Sequence, residues 1–262
     1  MESSDALKLA VEAIQEEFRR PFTISLIGPT GTGKTSLLNA LFRTQFLVSD
    51  DRPCTTEPNV HELTRKGATL RFVDLPGYGE SSEIDDSRTE IWKSHLDNSD
   101  IIIMTIFAIS RSIDFDLNWL QNLYSGELPN NLLVVATHSD MLRVKDGWII
   151  SLDEETIDST PSPDLLELIG RKKKYIRERV SAISTSETPV IYCSSISGYN
   201  LLELATQIHQ RVPEEAQIAF SSLLVNPKKI GIVPRHNSDQ FVPSMFINKD
   251  PKKLLFDSSK FR

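Results

Sequence analysis

Eight residues, Gly28-Pro-Thr-Gly-Thr-Gly33-Lys34-Thr35, carry the densest chemistry in the chain. Glycines followed by a lysine and a threonine at this spacing fit a phosphate-binding loop, and the segment lies between an apolar run and a helical pattern. Glycine lets successive backbone N–H groups curl around an anion, and the N-terminus of the following helix adds its dipole. In such a loop Lys34 reaches β- and γ-phosphate oxygens, and the Thr35 hydroxyl is a ligand for Mg²⁺. The expected binding set here is Gly28, Pro29, Thr30, Gly31, Thr32, Gly33, Lys34, Thr35 and Ser36.

Three later segments bear on which nucleotide this is. Asp74-Leu-Pro-Gly77 closes the apolar run Leu70–Val73. An Asp at a strand's C-terminal end can hold Mg²⁺ through water, and the Gly77 N–H can meet a γ-phosphate. Thr137-His138-Ser-Asp140 closes another run. A carboxylate there has two acceptors for the paired N–H donors of guanine, and adenine offers no such pair. Ser194-Ser195-Ile-Ser-Gly198 follows a third run, where backbone N–H groups would meet the guanine O6. Between the first two segments, Pro53-Cys-Thr55-Thr56 offers a second Mg²⁺ hydroxyl, with Thr56 preferred over Thr55. Lys34, Thr56 and Gly77 are the expected catalytic group.

These residues need strand ends and helix starts to hold them. The sequence predicts strands at Thr23–Gly28, Asn59–Thr64, Thr69–Leu75, Ile101–Ala108, Leu132–Thr137 and Val190–Ser194. It predicts helices at Lys34–Arg43, Thr89–Leu96, Phe115–Leu123, Leu165–Ser184 and Leu201–Arg211. Such alternation specifies an α/β fold with a mainly parallel sheet covered on both faces. Leu7, Val11, Ile14 and Phe18 mark an amphipathic helix within residues 1–20, before the domain at 21–213. Residues 151–164, with five acids, two prolines and no base, read as an exposed loop. The tail, 214–262, receives no fold.

The chain has 262 residues, 39% hydrophobic and 25% charged, which suits a globular domain with extensions. Its longest nearly apolar run, Ile101–Ile109, is too short to span a membrane and is interrupted by Thr105. Two cysteines, Cys54 and Cys193, lack metal-ligand spacing, which suggests a reduced, cytoplasmic setting. The net charge is −7, but residues 216–262 hold eight Lys/Arg against three Asp, so the first 215 carry −12. That asymmetry excludes a uniformly basic nucleic-acid binder and leaves the tail as the place for RNA or acidic lipid, or as a wrap on the acidic domain.

In the order of these motifs the sequence resembles the Era-like, HSR1-related GTPases of the translation-factor class. Lys34-Thr-Ser-Leu-Leu-Asn-Ala-Leu-Phe42 is similar to that group's first helix. Asp74-Leu-Pro-Gly-Tyr-Gly-Glu80, Trp148 and Pro161-Ser-Pro163 are similar to its YfjP-type branch. The resemblance covers about residues 20–213. It implies a P-loop G domain with a six-stranded sheet, GTP and GDP as ligands with Mg²⁺, slow hydrolysis, and two switch loops at 47–58 and 76–90. An effector or activating protein would then read the switch.

The sequence departs from the pattern in three places. Thr137 and His138 stand where Asn and Lys are common. Tyr78 stands where Ras-like enzymes have a water-orienting Gln, and Gly31 where some relatives hold potassium with an Asn. Glu80 and Arg52 are nearby charges that read first as solvated. Two other readings stay open: a module that binds GTP without useful hydrolysis, and an ATPase or kinase, against which Asp140 speaks.

Overall fold

The computed structural model describes residues 20–42, 57–144, 147–152, 156–224 and 233–234. The expected helix at 5–19, Arg52, Cys54, Thr55, Thr56, the first switch loop up to residue 56 and most of the tail lie outside the described residues.

Six strands form the main sheet: β1 (Phe22–Ile27), β2 (Asn59–Arg65), β3 (Ala68–Asp74), β4 (Ile101–Phe107), β5 (Leu132–Thr137) and, after a small hairpin, β8 (Val190–Tyr192). Their order is β2-β3-β1-β4-β5-β8, and only β2 runs antiparallel, to β3. The four inner strands are almost wholly buried because helices cover both faces. Alternation in β4 shows this directly: Ile101 and Ile103 join one core, and Ile102, Met104 and Ile106 the other.

One layer consists of α1 (Lys34–Leu41), α5 (Leu201–His209) and α6 (Glu214–Leu223). The other consists of α2 (Ser82–Leu96), α3 (Asp114–Leu123) and α4 (Pro163–Ser181). Sequence sets the helix ends. Ser81 caps α2 by accepting from the Ile84 N–H at 3.3 Å, and Glu83 and Asp85 suit the positive end of its dipole. Ser162 caps α4 in the same way at 3.2 Å, with Pro163 in its first turn. Leu165, Ile169, Ile176 and Val180 then form the buried stripe of α4.

Three expectations change. The second switch loop, expected at 76–90, is helical from Ser82, because the Ser81 cap, the acidic first turn and buried Trp92 and Leu96 stabilise α2 from there. Residues 151–164 are not simply an exposed loop. Strands β6 (Trp148–Leu152) and β7 (Thr156–Pro161) pair antiparallel, and β9 (Val233–Pro234) adds to β7. Ile149, Ile150, Leu152 and Ile157 give this hairpin its β-forming content, which the neighbouring acids obscured.

The third change concerns the tail, whose first ten residues form α6. Ala216, Phe220 and Leu223 join the core, and the helix packs over β3 and β2. Phe220 stands edge-on to Phe42 at 5.5 Å between ring centroids, and Phe42 lies 4.4 Å from Phe72. This stretch of the tail therefore completes the layer. Phe220→Ala is expected to lower stability by about 3–5 kcal/mol, and removing everything after Glu215 should lower it at least as much. Denaturant unfolding measures both, and an unchanged midpoint in either would show that α6 adds nothing to the core.

Candidate functional site

The phosphate loop leaves β1 at the C-terminal edge of the sheet, between β3 and β4, where the strand order reverses direction. Ligands of open α/β sheets bind at such a crevice. A Cβ on Gly28 would lie 2.2 Å from Thr105 Oγ1 and 2.4 Å from the Thr105 carbonyl, so only glycine allows the loop this close to β4. Thr32 and Thr105 share a hydroxyl hydrogen bond of 2.7 Å. Thr105 went unassigned to the site in the sequence, although it is the polar residue that interrupts the apolar run. Gly33 adopts φ 74° and opens α1, which presents Lys34, Thr35 and Ser36 in its first turn.

Lys34 is buried, and its ammonium donates to the carbonyls of Gly28 at 2.9 Å and Pro29 at 3.1 Å. Burial lowers its pKa to about 8, against the raising influence of Asp74 and Glu80. Thr35 Oγ1 donates to Asp74 Oδ2 at 2.6 Å. A hydroxyl and a buried carboxylate meeting at the end of β3 are hard oxygen donors, the type Mg²⁺ takes together with phosphate oxygens. Among the described residues no cluster of three or more His, Cys, Asp or Glu could hold a metal by itself.

The segment Asp74–Gly77, third of the five motifs in chain order, lies directly on the loop. Thr30 N–H donates to the Tyr78 carbonyl at 3.3 Å and Tyr78 N–H to the Gly28 carbonyl at 3.4 Å. A Cβ on Gly77 would come within 2.4–2.7 Å of Thr30. Tyr78 itself turns away into the core. Its ring stacks on Trp119 at 3.9 Å, and its hydroxyl donates to Asp116 Oδ1 at 2.9 Å. The residue in the glutamine's place is thus a packing anchor. Glu80 is not the solvated charge expected: it accepts from Thr30 Oγ1 at 2.9 Å and from Arg88 at 3.2 Å, with its side chain 19% exposed. Arg88 also donates to the Gly77 carbonyl at 3.1 Å. Arg88 lies within the expected switch segment 76–90 but belongs to no motif spacing, and Asp116 acts from α3, remote from the motifs.

The far end of the crevice is set by β5 and β8. Thr137 Oγ1 donates to the Thr32 carbonyl at 2.7 Å, so the residue in the asparagine's place still ties β5 to the phosphate loop. His138, at φ 58°, lays its ring over Gly33 and 5.2 Å from the Phe107 ring, with Nδ1 3.0 Å from Thr137 Oγ1. Asp140 sits in a 3₁₀ turn and accepts from Ser194 Oγ at 2.5 Å. Ser194 Oγ in turn accepts from the N–H groups of Ile196 and Ser197. The fourth and fifth motifs are one hydrogen-bonded unit. Ser195 follows in the same loop.

A phosphate loop, an Asp-Leu-Pro-Gly segment and a carboxylate just beyond β5, on a mainly parallel sheet, define a P-loop fold of the GTPase type. A family profile described as 50S ribosome-binding GTPase matches residues 23–137. The chain is 27% identical over 219 residues to the uncharacterized protein YfjP of Escherichia coli K12, covering 83% of this chain and 71% of that protein. It is 24% identical over 227 residues to the tRNA modification GTPase MnmE of Porphyromonas gingivalis, covering 84% of this chain but 46% of MnmE. Era in complex with MgGDPNP and a 16S ribosomal RNA fragment shares the fold, with a TM-score of 0.52 at 22% identity. That match covers 74% of this chain and 58% of the Era chain. Residues 23–137 thus match the family of 50S ribosome-binding GTPases, and the chain is similar in sequence to YfjP and in fold to Era.

Lys34 gives the site a pH signature. Phosphates stabilise the charged ammonium, so its pKa rises from about 8 when nucleotide binds. Binding then takes up a proton, and affinity should fall about fivefold between pH 8 and pH 9. Calorimetry across pH 7–9 checks this, with Lys34→Met as the variant that should lose the slope. A flat wild-type profile would rule out a titrating lysine at the phosphates.

Proposed function

We propose that this chain is a GTP-binding switch that hydrolyses GTP to GDP and phosphate slowly with Mg²⁺. The observation that supports it best is the Asp140–Ser194 pairing, which joins the base-reading motifs at the same sheet edge as the phosphate loop. Asp140 would take the paired guanine N–H donors, and His138 would flank the base or ribose. Loop N–H groups from Gly28 to Ser36 would cradle the phosphates, with Lys34 neutralising charge there. Mg²⁺, held by Thr35, by Thr56 and through water by Asp74, would supply the remaining neutralisation. Gly77 N–H would orient the γ-phosphate. In phosphoryl transfer such positioning and charge balance are most of what a protein contributes.

A second reading, a module that binds GTP without useful hydrolysis, draws on one observation: Tyr78 is fixed in the core and cannot orient water. Partners are proposed on the same basis. An effector or activating protein would read the third motif, and the basic pairs of the tail could meet RNA or acidic lipid. Among the described residues no helix is long and apolar enough to cross a membrane, and a cytoplasmic setting belongs to this reading.

Guanine selectivity gives the direct test. Losing a buried, charge-assisted pairing weakens binding by about 2–4 kcal/mol, roughly 30- to 1000-fold. Asp140→Asn should therefore lose GTP by that factor and gain xanthosine triphosphate, whose edge presents the reversed pattern. Wild-type protein that binds ATP and GTP equally in calorimetry would refute the assignment.

Hydrolysis is expected to be slow, near ~10⁻⁴–10⁻³ per second, a range typical where no catalytic group is supplied. Gly31 offers no side-chain oxygen for a monovalent ion, so replacing sodium by potassium should leave the rate unchanged. Single-turnover assays measure both quantities. No detectable turnover would favour the binding module, and a tenfold potassium effect would overturn the argument from Gly31.

A further inference from the structure

The Glu80 carboxylate lies against the phosphate loop. It accepts from the hydroxyl of Thr30, a residue of the phosphate loop itself, at 2.9 Å. Thr30 is also the loop residue that Gly77 and Tyr78 touch, through the 3.3 Å hydrogen bond and the close approach at Gly77. Gly77 is the residue whose N–H would orient the γ-phosphate, so Glu80 stands beside that point. Its charge is felt at the Lys34 ammonium, together with that of Asp74.

The carboxylate is held in place. Arg88, on α2, donates to Glu80 Oε1 at 3.2 Å and to the Gly77 carbonyl at 3.1 Å, and its side chain is 11% exposed. One guanidinium thereby fastens both the acidic side chain and the backbone of the third motif. On the reading above, a β-phosphate would lie within the loop N–H groups and a γ-phosphate beside Gly77. A γ-phosphate adds negative charge on the side facing the third motif, next to a carboxylate that solvent screens only partly.

We infer that Glu80 sets the preference between guanosine diphosphate and triphosphate, its docked carboxylate opposing the γ-phosphate until it leaves Thr30. This rests on the guanine-nucleotide reading above and extends it to the choice between the two nucleotide states. Departure of Glu80 removes a carboxylate from Arg88 while that guanidinium still holds Gly77. Triphosphate binding therefore acts on the first turns of α2 through Arg88 and changes the surface that a partner would read.

The test compares GDP with a non-hydrolysable GTP analogue, by calorimetry on the full chain, for wild type, Glu80→Gln and Glu80→Asp. Glutamine keeps an acceptor for Thr30 and removes the charge; aspartate keeps the charge. At a separation of several ångströms with partial burial, a unit charge shifts binding by about tenfold or more. Glu80→Gln should therefore raise the affinity for the GTP analogue relative to GDP about tenfold, with GDP affinity nearly unchanged, and Glu80→Asp should keep the wild-type ratio. An unchanged ratio in Glu80→Gln overturns the inference, as does an equal rise in Glu80→Asp, which would trace the effect to packing. GDP binding by the variants certifies that they are folded. Failure of wild type to bind either nucleotide defeats the parent reading instead, so the two failures are distinct.

Discussion

The arrangement depends on how closely the phosphate loop is pressed to its neighbours. A methyl group on Gly28 would overlap Thr105 on β4, and one on Gly77 would overlap Thr30. With no side chain at either place, backbone from β1, β3 and β4 converges within hydrogen-bond range. Hydroxyls then fill the contact: Thr32 bonds to Thr105, and Thr137 bonds to the Thr32 carbonyl. Each of these buried polar groups needs a partner, so loss of one hydroxyl would leave an unsatisfied group in the cradle. The loop's shape is thus fixed from both sides of the sheet, and Lys34 and Thr35 inherit their positions from it.

The second anchor is aromatic. Tyr78 stacks on Trp119, Trp119 meets Trp92 edge-on at 5.0 Å, and the Trp92 indole N–H donates to the Pro76 carbonyl at 2.9 Å. These contacts tie the third motif to α2 and α3 at once. Burial and the neighbouring Asp116 push the Tyr78 hydroxyl well above its ordinary pKa, so it stays a donor at physiological pH. The sequence shows a tyrosine where glutamine would orient water. The packing shows why a smaller polar residue would not serve here: it would leave the slot between Trp119 and Asp116 unfilled.

What was legible in the sequence follows from distance along the chain. Phosphate-loop residues act through spacings of a few positions, so Gly28–Thr35 and Asp74–Gly77 could be read directly. The strands beneath them were legible because burial on both faces leaves nearly unbroken apolar runs. Glu80 reads as solvated in the sequence because no local spacing marks its partners: Thr30 lies fifty positions away, and Arg88 eight positions on, nearly two turns into α2. The β6–β7 hairpin was obscured by acids beside its isoleucines. Helix α6 was missed because its burial depends on Phe42 and Phe72, which no local pattern brings to Phe220.

The two ends of the crevice differ in how firmly they are held. At the base end, Cys193 N–H donates to the Ala136 carbonyl at 2.9 Å and Ser139 N–H to the Cys193 carbonyl at 3.1 Å, and Ser194 then fixes Asp140. Thr137 and His138 replace the common residues there without loosening this frame, because a hydroxyl still reaches the loop and a ring still covers Gly33. At the phosphate end, the backbone link between the third motif and the loop rests on two long hydrogen bonds of 3.3 and 3.4 Å. Short bonds and buried aromatics lie just beyond, at Tyr78 and Trp92. A perturbation at the phosphates thus meets its least resistance at the seam between Thr30 and Tyr78. On the proposed reading, a small displacement there would act on Glu80 and Arg88 while the hydrogen-bonded frame around Asp140 stays in place.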